Sequence, residues 1–408
     1  MNTMNSIREH YKTSLFMAFL FLFVIVLAGC ATNGGGTGNG GTPTPMATTV
    51  VGLASSNGAT PTATLSPGVK PGAQSCPSAV KAPAHWDGII ATSNGDRVES
   101  VSCGNLIGNS SLQAVIGVRS HSIGGFLTVY VYNNITAKKP AQLFKLEHLN
   151  QGNVKISGYS TLLTVEIDTG SSINKGQPDG NLKPDLYREF KWSDGAGAFE
   201  QTAFPGIYPD LTRFQAEIDQ AQVNHGHDPW KLDARMTAQA FATFLLKWPI
   251  QSQAILVSGG GLHDNSAVVN VTNTNNGISN TVTVTLSRLE GNTNGGIWEI
   301  VAVTSKGMSI TSPQNRARIT DFVTVTGTGN AFEGVIGKLF VLDHLYTDIG
   351  HAQAKGAQGM GKTTFSTNVT VTPSFHGGSQ EAVLVLYSYS QANGSITGAV
   401  MLKQLVRG

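Results

Sequence analysis

Charge is scarce in this chain. Its 408 residues hold 27 Lys and Arg against 25 Asp and Glu, for a net charge of +2. No basic run concentrates that surplus, so the electrostatic footprint of nucleic-acid binding is missing. No two carboxylates stand out as the acid and base of glycoside hydrolysis. No Gly-x-Ser-x-Gly elbow is present, and no serine or cysteine has a base signalled beside it. The ten histidines are scattered. The strand–helix alternation of a two-lobed solute-binding protein is missing as well. These absences point away from an enzyme and from any cofactor. Only a catalytic site assembled across domains would escape such a reading.

Long apolar runs are missing too, with one exception. Leu15 to Leu27 is unbroken at thirteen residues, short of the roughly 20 needed to span a bilayer. A polar stretch with Arg8 and Lys12 precedes it, and Leu27-Ala28-Gly29-Cys30 ends it. Residues 1–29 therefore read as an export signal. Its end resembles the lipobox of bacterial lipoproteins. That resemblance implies cleavage before Cys30 and acyl chains, palmitate among them, carried on Cys30. A membrane is then a partner, and the extracytoplasmic face of the cell membrane the location. Two or three acyl chains suffice for stable anchoring.

Residues 30–75 are Gly-, Thr- and Pro-rich, with no charge before Lys70. Such a stretch cannot offset its ordering entropy, so it reads as a disordered tether. At roughly 45 residues it would reach about 35–40 Å. Only three cysteines occur. With Cys30 lipidated, Cys76 and Cys103 remain in an oxidising compartment, where a disulfide is the economical reading and two free buried thiols the alternative.

About 330 residues follow, enough for two or three domains. Forty-eight glycines and abundant Thr and Val point to a mainly β, multidomain chain. Residues 76–206 read as an all-β domain, with strands at Gln113 to Arg119, Phe126 to Tyr132, Tyr159 to Asp168 and Asp185 to Lys191, and a hairpin from Phe190 to Gln201. Cys103 to Asn109 with Gln113 to Ile116 is distantly similar to repeats of extracellular β-propellers. Their calcium loop carries carboxylates where Asn105, Leu106 and Ile107 stand here, so no calcium is expected.

Residues 207–306 read as an α+β domain. Pro209 opens a helical pattern of Leu211, Phe214, Ile218 and Ala221, and a second runs from Asp233 through Thr237, Phe241, Phe244, Leu245 and Trp248. Four strands follow. The order resembles the cone-shaped fold named after nuclear transport factor two. His225, His227 and Asp228 form a compact polar cluster without the further spaced ligand that zinc motifs need, so a polar loop is expected.

Residues 307–408 carry a recognisable pattern. Ser312-Pro313, then Val325-Thr326-Gly327-Thr328-Gly329, then Phe332-Glu333-Gly334, with Phe365 and Asn393-Gly394-Ser395 later, resemble the bacterial spore-germination immunoglobulin-like domain. One departure is Asn393, where the family usually has Asp. The resemblance implies a C-terminal immunoglobulin-like β-sandwich and a link to sporulation or germination. Two roles are open to Glu333: contacting a ligand, or fixing a loop by accepting backbone N–H groups, which is the favoured one. Gly356 to Thr363 matches the G-x-x-x-x-G-K-[ST] phosphate loop letter for letter. The flanks fail, since no buried strand leads in and a strand pattern, not a helix, leads out. No nucleotide is expected.

The function these features suggest is a lipid-anchored envelope scaffold binding another envelope protein or wall polymer. The alternative is a small-ligand-binding or enzymatic middle domain, with a polar-lined pocket behind Phe241, Phe244 and Trp248.

Overall fold

The computed structural model describes residues 70–92, 95–121, 124–275, 277–291 and 295–408. The expected export signal, Cys30 and most of the tether lie outside them. No helix among the described residues is long and apolar enough to cross a membrane.

The chain is mainly β, in several antiparallel sheets. In the first sheet β1 (Ala73–Gln74), β2 (Arg97–Gly104), β3 (Gln113–Arg119), β4 (Leu127–Asn133) and β5 (Ala141–Leu149) pair in sequence order, with one-turn helices α1 (Ser78–Lys81) and α2 (Pro83–Trp86) between β1 and β2. A second meander, β6 (Asn153–Ile156), β7 (Leu162–Glu166), β8 (Leu186–Ser193) and β9 (Ala198–Thr202), packs against it. Strand β3 is buried along both faces because successive side chains point opposite ways. Ala114, Ile116 and Val118 pack with Val80 and Trp86 of the short helices, while Val115 joins Leu127, Leu162 and Phe190 between the sheets. Cys76 and Cys103 form a disulfide, tying the chain entering α1 to the end of β2. Inside that loop the Trp86 indole N–H donates to the Val80 carbonyl at 2.8 Å.

Two helices and four strands follow: α3 (Arg213–Asn224), α4 (Ala234–Phe244), β10 (Gln253–Gly259), β11 (Ser266–Asn275), β12 (Ile278–Arg288) and β13 (Trp298–Thr304). Helix α3 departs from the sequence expectation. It begins at Arg213, where Thr212 accepts the Gln215 N–H, rather than at Pro209. Its buried face is Ala216, Gln220 and Val223, while Ile218 and Ala221 are exposed. The physical reason is that this face is partly polar. Gln220 donates to the Gly295 carbonyl at 2.7 Å and accepts the Ile297 N–H at 2.9 Å. The residues before the helix are drawn to β13 instead, Ile207 N–H donating to the Ile300 carbonyl and Ile300 N–H to the Tyr208 carbonyl, each at 2.7 Å. Helix α4 starts as its pattern predicts, with Asp233 accepting the Arg235 and Met236 N–H groups and with Thr237 and Phe241 buried, but it ends at Phe244, which is exposed, and Trp248 lies beyond it.

The last eight strands are β14 (Ser309–Ser312), β15 (Ala317–Ile319), β16 (Phe322–Ala331), β17 (Val335–Leu342), β18 (Asp348–Lys355), β19 (Gly361–Thr370), β20 (Ser379–Tyr389) and β21 (Ile396–Arg407). β14, β16 and β19 form one sheet, and β18, β17, β20 and β21 the other, with β15 parallel to β21. Val325, Phe365 and Val369 of the first meet Leu339, Leu384 and Leu386 of the second, giving a β-sandwich. Val303 of β13 pairs with Met401 of β21, so the second sheet continues into β13–β10 as one nine-stranded sheet. Helix α4 lies against the β10–β13 half, and the segment after it reaches the sandwich half. Ala238, Phe241 and Trp248 share a core with Val383, Val385 and Met401, and the Trp248 indole N–H donates to the Ile396 carbonyl at 2.8 Å.

Replacing the disulfide by Cys76→Ser with Cys103→Ala should lower stability by roughly 3.5 kcal/mol, the chain-entropy value for a loop of 27 residues. Denaturant titration followed by tryptophan fluorescence reads this directly, and an unchanged midpoint would contradict it.

Candidate functional site

The Phe332-Glu333-Gly334 motif is the turn between β16 and β17. Phe332 and Val335 exchange both backbone hydrogen bonds at 2.9 Å, leaving Glu333 and Gly334 as a two-residue hairpin loop. Both have positive φ, +51° and +81°. That geometry suits the right-handed twist of a hairpin and calls for glycine at the second position. The Glu333 carboxylate accepts no hydrogen bond among the described residues and faces solvent. This corrects the favoured expectation that it would fix a loop. Backbone does that job, because the loop that follows β18 docks on the turn.

That docking loop is the segment resembling a phosphate cradle. Gly334 N–H donates to the Gly359 carbonyl at 3.0 Å, and Gly356 N–H donates to the Gly334 carbonyl at 2.9 Å. Gly359 and Gly361 have φ of +113° and +108°, conformations that side chains resist. The glycines thus let one loop backbone lie against another. β19 begins at Gly361, so a strand rather than a helix leaves the loop.

Around the turn run two open grooves of about 500 Å3 and 480 Å3. Both are lined by Phe332, Val335, Ile336, Tyr389 and Gln391, so they join into one trough. The first lobe adds Glu333, Lys338 and Gln353, and the second adds Asn280, Lys306 and Asn330 from the middle domain's β12, the β13–β14 connection and β16. Phe332 is 40% exposed, high for a large aromatic. The Lys338 ammonium lies 5.7 Å from the centre of the Tyr389 ring. Hence the trough offers two aromatic rings, several amides and a small number of charges.

Residues 308–395 match the family model of the immunoglobulin-like domain of bacterial spore germination. Nothing among curated proteins matches the chain. The match covers the sandwich through the Asn393-Gly394 turn. It therefore includes the Phe-Glu-Gly turn and the whole lining of the first lobe, whereas the middle-domain residues of the second lobe lie outside it.

Other sequence candidates fall elsewhere. His225 Nδ1 is 2.7 Å from the Ala221 carbonyl at the end of α3, and Asp228 starts a short 3-10 turn beyond it. No group of three metal-ligating side chains occurs among the described residues. In the loop similar to propeller repeats, amides stand where a cation would. Asn105 donates to the Asn109 and Ser111 carbonyls, and buried Gln113 accepts the Leu106 N–H at 2.7 Å.

Sequence reasoning missed a concentration of buried ionisable groups where the immunoglobulin-like domain meets the other two. Lys403 on β21 is fully buried, its ammonium donating to the Leu211 carbonyl and lying 3.4 Å from Glu381. Glu381 in turn accepts the Phe204 N–H at 3.0 Å. Glu299 on β13 accepts the Asp210 N–H at 3.3 Å, while Asp210 Oδ2 and Glu299 Oε1 are buried without a hydrogen-bond partner among the described residues. Burial, with the Asp219 charge behind it, pushes Asp210 up to about 8. Burial and the Asp210 charge raise Glu299 well above the usual carboxylate range. Nearby, Arg213 bridges Glu189 at 2.7 Å and Glu290 at 2.6 Å, and burial pushes Glu290 up to about 7. Perturbed carboxylates often mark active sites. Neither Asp210 nor Glu299 lines the trough, however, and the chain positions around them come from three separate segments with no common spacing.

The sign of the pH effect follows from the proton count. The unfolded chain releases the Asp210 proton near pH 4, whereas the folded chain keeps it to about 8. The folded form then binds more protons across that window, so its stability is full below about pH 4 and declines as pH rises towards 8. Asp210→Asn, which cannot ionise, should flatten the fall of the unfolding temperature across that window. An equally steep fall in the variant would remove Asp210 as its source.

Proposed function

We propose that this chain is a lipid-anchored protein of the extracytoplasmic envelope that works as a binding scaffold without catalysing a reaction, in a setting related to sporulation or germination. The observation that carries this reading is the trough at the Phe332 turn. A domain of the germination type holds an exposed aromatic and an unpaired carboxylate at a rigid hairpin, between open grooves. Its partner is another envelope protein or wall polymer. Surface-exposed loops positioned by a stiff scaffold are where binding residues concentrate.

The aromatic core of the middle domain supports the same reading. Phe241, Trp248 and Trp298 are buried in its interior, and Phe244 closes against the rings of Tyr208 and Tyr346. Those aromatics occupy the space that a small-ligand pocket behind them would need.

The anchor rests on the Leu27-Ala28-Gly29-Cys30 sequence. Cys30→Ser should move the protein from the membrane fraction to the soluble fraction and abolish incorporation of labelled palmitate. A variant that stays membrane-bound and labelled would refute the anchor. For the scaffold, a chain beginning at residue 31 should retain a native envelope component that the same chain with Phe332→Ala and Glu333→Ala loses. Equal retention by both would move the binding surface elsewhere.

A further inference from the structure

We propose that the trough at the Phe332 turn binds a glycan strand of acetamido sugars, an inference that rests on the scaffold reading above and names its ligand class. Four observations carry it.

The first concerns the backbone. A peptide laid in a groove as an added strand needs a free sheet edge. Most of the trough's strands lie inside their sheets: β17 pairs with β18 and β20, β20 with β17 and β21, and β16 with β14 and β19, whereas β18, which carries Gln353, is an edge strand and Ser279 to Thr281 of β12 pair with β11 alone. The inner strands can recognise a ligand only through their side chains.

The second is the state of those side chains. Asn280, Asn330, Gln353 and Gln391 all face the trough, and none of their amide groups makes a hydrogen bond among the described residues. A side-chain amide both donates and accepts. It therefore suits sugar hydroxyls, and it suits the acetamido group, which is itself an amide. Pairs of lysines or arginines, which a phosphate polymer or nucleic acid would call for, are not gathered here; Lys306 and Lys338 sit in different lobes, with Glu333 beside the second.

The third is aromatic. The electron-rich face of a ring attracts the positively polarised C–H groups on one side of a pyranose. Phe332 is exposed and contacts no other aromatic ring among the described residues, and Tyr389 is half-exposed beside it. Both rings belong to both lobes, so they lie midway along the trough.

The fourth is shape. A small-molecule site is concave, mostly apolar and largely enclosing. This one is open, two-lobed and mixed in polarity, and its lobes of about 500 Å3 and 480 Å3 follow one another. A polymer lying across the Phe332 turn fits such a trough, with one sugar unit or two in each lobe. The second lobe needs the middle domain, which explains in functional terms why the immunoglobulin-like domain is fused to it through β13 and β21.

The test uses the whole chain from residue 31 and two probes, the β-1,4-linked tetramer of N-acetylglucosamine and maltotetraose, which lacks acetamido groups. Titration calorimetry should show the acetamido tetramer binding with a Kd of roughly 0.1–1 mM, and maltotetraose binding at least about tenfold more weakly. Phe332→Ala should weaken the tetramer by about tenfold or more, and Gln391→Ala with Asn330→Ala should do likewise without touching a buried residue. Phe322→Ala, an exposed aromatic outside the trough, should leave binding unchanged. Binding unaffected by either trough variant overturns the assignment. So does no tetramer binding while an envelope component is still retained by the chain and lost by Phe332→Ala with Glu333→Ala; that outcome makes the ligand a protein and leaves the scaffold reading standing. If neither the tetramer nor any envelope component binds, both readings fall together.

Discussion

A lysine ammonium cannot stay charged in a protein interior without oxygen atoms around it, and Lys403 has no exposure to water at all. Its partners come from far along the chain: the Leu211 carbonyl from the segment before α3, and the Glu381 carboxylate from the neighbouring strand. Glu381 is held in turn by the Phe204 N–H, the end of the first domain's last meander. One buried cation thereby requires all three parts of the chain to be in place together. Other contacts extend the lock. Ser374 donates to Asp168 at 2.6 Å, Gln201 to the Ser379 carbonyl at 2.9 Å, and Arg213 joins the second meander to the loop after β12. Removing one partner of a buried pair commonly costs about 3–5 kcal/mol, because the other charge is left uncompensated. Such a junction adds little net stability but specifies one arrangement.

Rigidity of that kind matters for the trough. Its lobes are built from the sandwich and from β12 and the β13–β14 connection, so their relative placement depends on the sheet splice at Val303 and Met401. The turn itself is equally constrained, by its own hairpin bonds and by the glycine loop lying on it. A binding surface preorganised in this way loses less ordering entropy when a partner arrives.

Much of this was legible in the sequence, and the failures are instructive. Strands with one face in a core, such as β4 with its Leu127, Val129 and Val131, alternate cleanly and are easy to read. β5 and β18 lie mostly exposed, so Ala141–Leu149 and Asp348–Lys355 carry no apolar rhythm and were not recognised as strands. Helix α3 misled in the opposite sense. Leu211, Phe214, Ile218 and Ala221 repeat at helical spacing, yet Ile218 is exposed because the face that is buried carries Gln220 in a hydrogen-bond network. The Phe-Glu-Gly motif was visible as letters, while the role of Glu333 was not, since a carboxylate bonded to a loop and one facing solvent look alike in sequence. The buried ionisable groups at Asp210, Glu299, Glu381 and Lys403 had no signature, because contacts between distant segments leave no spacing to detect.

The central claim is that the parts of this chain form one cooperative body around the Lys403 junction. Scanning calorimetry of the chain from residue 31, with and without Lys403→Met, tests it most directly. The account predicts a single unfolding transition in the parent chain, and in the variant a large downward shift that splits the transition as the parts separate. Two or more well-resolved transitions in the parent, or a variant that unfolds as the parent does, would contradict it.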